Sequence, residues 1–143
     1  MCGDIYIPIG EDTPEVILNR ETKQFSLTGQ SLPEDSHAFY NPILTWLVEY
    51  VQQPFDALCF DIKLLYFNTS SAKEIAKILN VFLNSPQRDK ITVRWFYDFH
   101  DPENIETCRR YELIPLHYEY YEYDYSSLEP PADEPEGTYH IIS

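Results

Sequence analysis

Apolar and polar positions along this 143-residue chain alternate in two periods, and the switches between them mark its elements. Glu15 to Arg20 and Gln24 to Thr28 read as the arms of a hairpin around Glu21-Thr22-Lys23, with Gly29 and Pro33 closing the second arm. From Ser36 to Val51 the residues Phe39, Ile43, Trp46, Leu47 and Tyr50 recur at helical spacing, and Pro42 should distort or delay the first turns. Ala57 to Phe67 is the most apolar segment. Leu58, Phe60, Ile62, Leu64 and Tyr66 fall on one face of it, which predicts a central strand. Ser70 to Asn84 carries a second helical stripe of Ile75, Ile78, Leu79 and Phe82, with Lys73, Glu74 and Lys77 facing outward. Ile91 to Tyr97 predicts another strand, Pro102 to Glu112 a short polar helix, and Pro115 to Tyr120 a last strand. Strands and helices in alternation imply right-handed crossovers. The expected class is α/β, with a mixed, mostly parallel sheet of about five strands packed with about three helices.

Composition narrows the function more than the fold. A hydrophobic share of 43% and an aromatic share of 15% suit one globular core. The formal charge of −14, from 24 acidic and 10 basic residues, argues against nucleic acid and against anionic lipid as partners. No apolar run approaches the roughly 20 residues of a membrane span. The opening MCGDIYIPIGEDTPE has no basic head or long apolar segment, so no signal peptide is expected. Cys2, Cys59 and Cys108 are odd in number and widely spaced, and they read as reduced cysteines of a cytoplasmic protein, with Cys59 a small buried apolar residue. The absence of a Cys-x-x-Cys pair speaks against structural zinc, and with four glycines and no Gly-rich phosphate loop no cofactor is expected. No Lys or Arg follows Arg110, whereas eight carboxylates do. The chain is therefore divided into a domain of residues 1–120 and an acidic, Tyr- and Pro-rich tail of residues 121–143, where Pro130, Pro131 and Pro135 oppose regular structure.

One junction holds the candidate chemistry. The apolar run LCFDIKLLYF stops at Asn68-Thr69-Ser70-Ser71, and the second helical stripe begins at once. Asn, Thr and Ser are preferred helix caps, and Ser71 to Glu74 has the spacing of a capping box, so capping alone would account for the cluster. The same place also suits a switch, because a helix N-terminus tolerates an anion and a phosphoryl group there adds about −1.5 to −2 charges. Asp98, His100 and Asp101 offer an alternative, a small metal-dependent hydrolase, although a solvated loop explains them more simply. A constitutive scaffold in which Thr69 merely caps the helix is a third reading. Asp61 and Lys63 share a strand face and are expected to pair with each other or with a neighbouring strand.

SLPEDSHAFYNPILTWLVEY, FDIKLLYFNTSSAKEI and ITVRWFYD together resemble the SiaC family of bacterial regulatory phosphoproteins, from roughly Ile7 to Leu116. That family is similar in architecture to the STAS-type anti-sigma-factor antagonists. The resemblance implies a non-enzymatic protein in which a serine/threonine kinase phosphorylates the threonine of the Asn-Thr-Ser-Ser motif and a PP2C-type phosphatase restores it. It further implies that the unphosphorylated form binds and activates a GGDEF diguanylate cyclase, raising cyclic di-GMP. By position the acceptor is Thr69, set among Asn68, Ser70 and Ser71. The acidic loop from Asp98 to Pro102 and the tail depart from the family pattern.

Overall fold

The computed structural model describes residues 3–127. Six strands form one sheet in sequence order: β1 (Ile5–Ile7), β2 (Glu15–Asn19), β3 (Gln24–Ser31), β4 (Leu58–Phe67), β5 (Ile91–Asp98) and β6 (His117–Tyr123). The first two pairings are antiparallel and the last three parallel, so the sheet is mixed. Three helices fill the parallel crossovers: α1 (Ser36–Val51), α2 (Thr69–Leu83) and α3 (Pro102–Arg109). Six strands replace the expected five because β1 was missed; three residues are too few to carry a periodic signal. It pairs Ile5 with Leu18 and Ile7 with Val16. The Trp46 indole, which donates to the Gly3 carbonyl at 2.8 Å, holds the segment just before it.

Each parallel step moves one strand further in the same direction. Right-handed crossovers then put all three helices on one face of the sheet. Burial agrees: in β4 Leu58, Phe60, Ile62 and Leu64 are buried, while Asp61 and Lys63 are only partly covered and Cys59 is exposed. Cys59 is thus not the buried residue expected, because it belongs to the face that no helix covers. On that face Arg94 donates to both carboxylate oxygens of Asp61, at 2.6 and 2.8 Å, across the β4–β5 register. Lys63 does not join this pair but lies 4.8 Å from the Phe96 ring centroid and 5.5 Å from that of Tyr123.

The covered face is packed by α1 and α2 through Ile43, Trp46, Leu47, Ile75, Ile78 and Phe82. Rings of Trp46, Tyr50 and Phe55 stack along one flank, with centroids 5.0 Å apart for Trp46–Tyr50 and 5.4 Å for Tyr50–Phe55, and Phe25 packs tilted against Tyr50. Helix α1 runs without a break through Pro42; its start is set by Asp35, whose carboxylate accepts the Ala38 amide at 3.1 Å. At the C-terminal side β6 continues to Tyr123, and Tyr125 is buried with its hydroxyl donating to the Phe96 carbonyl. These residues were assigned to the tail by composition and pack with the domain; the rest of the tail, 128–143, lies outside the described residues.

Candidate functional site

The β4–α2 junction is built by an irregularity in the sheet. Leu64 faces Gly29 and Tyr66 faces Gln30, so Leu65 is an extra residue in β4. A bulge of this kind switches the parity of every side chain beyond it. Tyr66, expected on the core face with Leu64, is instead 56% exposed, and Phe67 turns inward against the core. Gly29 does not close β3, as its residue type suggested. It sits in the register shift with φ of 126°, where an added Cβ would come within 2.9 Å of the Ile9 side chain.

Past the bulge the hydroxyl residues take separate duties. Asn68, not a serine, is the cap: its Oδ1 accepts the Ser71 amide at 2.9 Å and the Ser70 hydroxyl at 3.1 Å, and its own amide donates to the Ser31 carbonyl. The capping box expected from Ser71 to Glu74 is absent because the helix begins at Thr69, which makes Ser71 the third helical residue. Ser71 is fully buried, with Oγ 2.8 Å from Ser31 Oγ and donating to the Ser31 carbonyl at 3.1 Å. Ser31 Oγ in turn lies 2.7 Å from the Tyr40 hydroxyl, and Ser70 Oγ lies 2.6 Å from Ser36 Oγ. One direction of donation satisfies the buried chain: Tyr40 to Ser31, Ser31 to Ser71, Ser71 to the Ser31 carbonyl. Burial pushes the Tyr40 phenol up to about 12, which keeps it the neutral donor this chain requires. Ser70 and Ser71 are therefore spent on joining β3, α1 and α2. Thr69 alone is exposed with a hydroxyl that has no hydrogen-bond partner among the described residues.

Thr69 opens onto a cleft of about 500 Å³ between the end of β4, the first turn of α2 and α3, with Tyr66, Asn68, Asp101, Glu103 and Arg110 also in its wall. The far wall is pinned at two points. Asn104, buried on α3, donates to the Leu65 carbonyl in the bulge at 3.2 Å and accepts the Asp98 amide at 2.7 Å. Tyr111, in the 3-10 turn of Arg110–Leu113, donates to the Ala72 carbonyl at 2.9 Å and stacks on Trp95 with centroids 5.2 Å apart. Asn104 and Tyr111 each bond a residue 39 positions away in sequence, so no local pattern could have revealed them.

A second depression lies on the other side of α2's first turn, lined by Ser36, His37, Ser70, Lys73, Glu74 and Lys77. Glu74 was expected to face outward. It is 5% exposed, with one carboxylate oxygen 2.8 Å from Lys77 Nζ.

Asp98, His100 and Asp101 are not drawn together as a site. Asp98 accepts the His100 amide at 3.0 Å, Asp101 caps α3 by accepting the Glu103 amide at 3.0 Å, and the His100 ring packs on Phe99. Among the described residues no group of three or more His, Cys, Asp or Glu is placed to hold a metal ion, and no helix is long and apolar enough to cross a membrane.

Comparison with known proteins agrees with this architecture. An uncharacterized protein of Pseudomonas aeruginosa (strain UCBPP-PA14) is 30% identical over 97 residues, covering 67% of this chain and 77% of its own length. The structure of SiaC of Pseudomonas aeruginosa superposes with a TM-score of 0.74 at 27% identity, over 85% of this chain and all of that one. A crystal structure of the diguanylate cyclase SiaD in complex with its activator SiaC, from the same species, matches with a TM-score of 0.77 at 25% identity, over 84% of this chain and 100% of that one. The family model for SiaC regulatory phosphoproteins matches residues 7–117, more than half of the chain, and the chain belongs to the SiaC family.

Proposed function

We propose that the protein is a non-enzymatic regulator of the cytoplasm whose Thr69 is reversibly phosphorylated, and that this modification gates binding to and activation of a diguanylate cyclase. One observation carries the reading: of the three adjacent hydroxyls, Thr69's is the one exposed and unengaged, at the start of a helix and on the wall of a cleft. The cyclase is suggested by the relative SiaC, whose structure is known in complex with SiaD.

The step balances simply. The Thr69 oxygen takes the γ-phosphoryl group of ATP under a partner Ser/Thr kinase, its proton is lost to the kinase's base, and ADP leaves. A PP2C-type phosphatase transfers the group to water and restores the hydroxyl. Free backbone N–H groups and the partial positive charge of α2's N-terminus tolerate the added charges, so the fold survives while the surface gains negative charge. Incubation with the partner kinase and ATP, followed by mapping of the modified residue, tests the site. Label confined to Thr69 and lost in Thr69→Ala supports it; label retained in full by that variant refutes it.

A further inference from the structure

We propose that Arg110 is the counter-charge for a phosphoryl group on Thr69, so that modification is read inside the protein by filling the α2–α3 cleft; this rests on Thr69 being the acceptor. Arg110 and Thr69 line the same cleft. Arg110 is exposed and, among the described residues, forms no ion pair, unlike Arg20 and Arg94. Its place is not left to a floppy loop. The next residue, Tyr111, is tied to the carbonyl of Ala72, three positions beyond Thr69, and Asn104 ties α3 to the bulge just before the junction.

The charges facing the cleft decide what it accepts. Asp101 and Glu103 share the wall and oppose an anion, although the Asp101 carboxylate already accepts the Glu103 amide. Arg110 and the N-terminus of α2 favour one. A guanidinium pairs with phosphate through two parallel N–H donors, which a carboxylate wall without a cation could not offer. Lys73 is the competing cation, one helical turn beyond Thr69. It lines the depression with Ser70 on the other side of the turn. A phosphate held by Arg110 would cover the cleft and the exposed Tyr66 on its rim, withdrawing an aromatic contact from any partner as well as adding charge.

The test installs phosphothreonine at position 69 during translation of the full chain and follows the phosphate's second ionisation by ³¹P NMR. Pairing with Arg110 holds that ionisation low, so in Arg110→Gln it should rise by several tenths of a unit. It should stay in place in Lys73→Gln and fall further in Glu103→Gln. An ionisation unmoved in Arg110→Gln, or one that moves only in Lys73→Gln, overturns the proposal. Because the phosphate is installed without a kinase, failure of a kinase to label Thr69 would refute the acceptor assignment and leave this result standing on its own.

Discussion

Ser71 Oγ, in the first turn of α2, lies 2.8 Å from Ser31 Oγ at the end of β3, forty residues away in the chain. This contact couples the end of the sheet's parallel half to the start of a helix. It also explains why three adjacent hydroxyl residues occupy the junction: Ser70 and Ser71 are hydrogen-bonded to other segments, and the exposed Thr69 hydroxyl has no partner among the described residues.

Removing the buried member should therefore be costly. Ser71→Ala strips a partner from Ser31 and leaves buried polar atoms unpaired, at about 1–3 kcal/mol. Urea denaturation of the variant would show a lower midpoint at unchanged slope. A midpoint equal to that of the parent protein would mean the hydroxyl chain contributes nothing.

Cap and acceptor should separate cleanly. Asn68→Ala removes the side chain that receives the Ser71 amide and should cost about 1 kcal/mol. Thr69→Ala alters an exposed side chain whose hydroxyl has no hydrogen-bond partner among the described residues, and should stay within about 0.5 kcal/mol. Thermal melting of the two variants side by side measures the contrast. Equal losses would restore the view that Thr69 is simply a cap.

Charge at Thr69 should govern binding rather than folding. Thr69→Asp is expected to weaken the complex with the proposed cyclase partner by tenfold or so, since each tenfold corresponds to about 1.4 kcal/mol. Its melting temperature should remain near that of the parent. Calorimetric titration against the cyclase checks this, and an unchanged affinity would argue against gating by charge.

Alkaline pH should loosen the same junction. The folded phenol of Tyr40 is raised by burial from its ordinary 10.0 to about 12, so between those values the native state binds more protons than the unfolded chain. Its contribution is complete below pH 10 and is lost as the pH climbs through 12. Cys108, raised by burial from 9.0 to about 12, acts in the same sense. Stability measured from pH 9 to 12 should fall more steeply for the parent than for Tyr40→Phe. Parallel curves would remove Tyr40 from the account.

Much of the fold was legible because helices and long strands write their burial into local periods. The stripe of Ile75, Ile78, Leu79 and Phe82 predicted α2 within a residue, and Leu58 to Leu64 predicted β4 and its central place. The failures cluster where the period is interrupted. Tyr66 was placed on the wrong face because a bulge is invisible to a rule of alternation. Glu74 was placed outward because its charge outweighed its position, and Cys59 inward because its apolarity did.

The sequence by itself determined the class of the fold, the junction at Asn68 to Ser71 and the family, since each rests on residues adjacent or regularly spaced along the chain. Only the tertiary structure decided which hydroxyl is free. That choice depends on Ser31, Ser36 and Tyr40 coming from β3 and α1 to engage Ser70 and Ser71, and the folding of α3 against the junction makes Thr69 and Arg110 line one cleft. Hydrogen bonds between distant segments leave no local trace, because neither partner's neighbours in sequence need change for the bond to form.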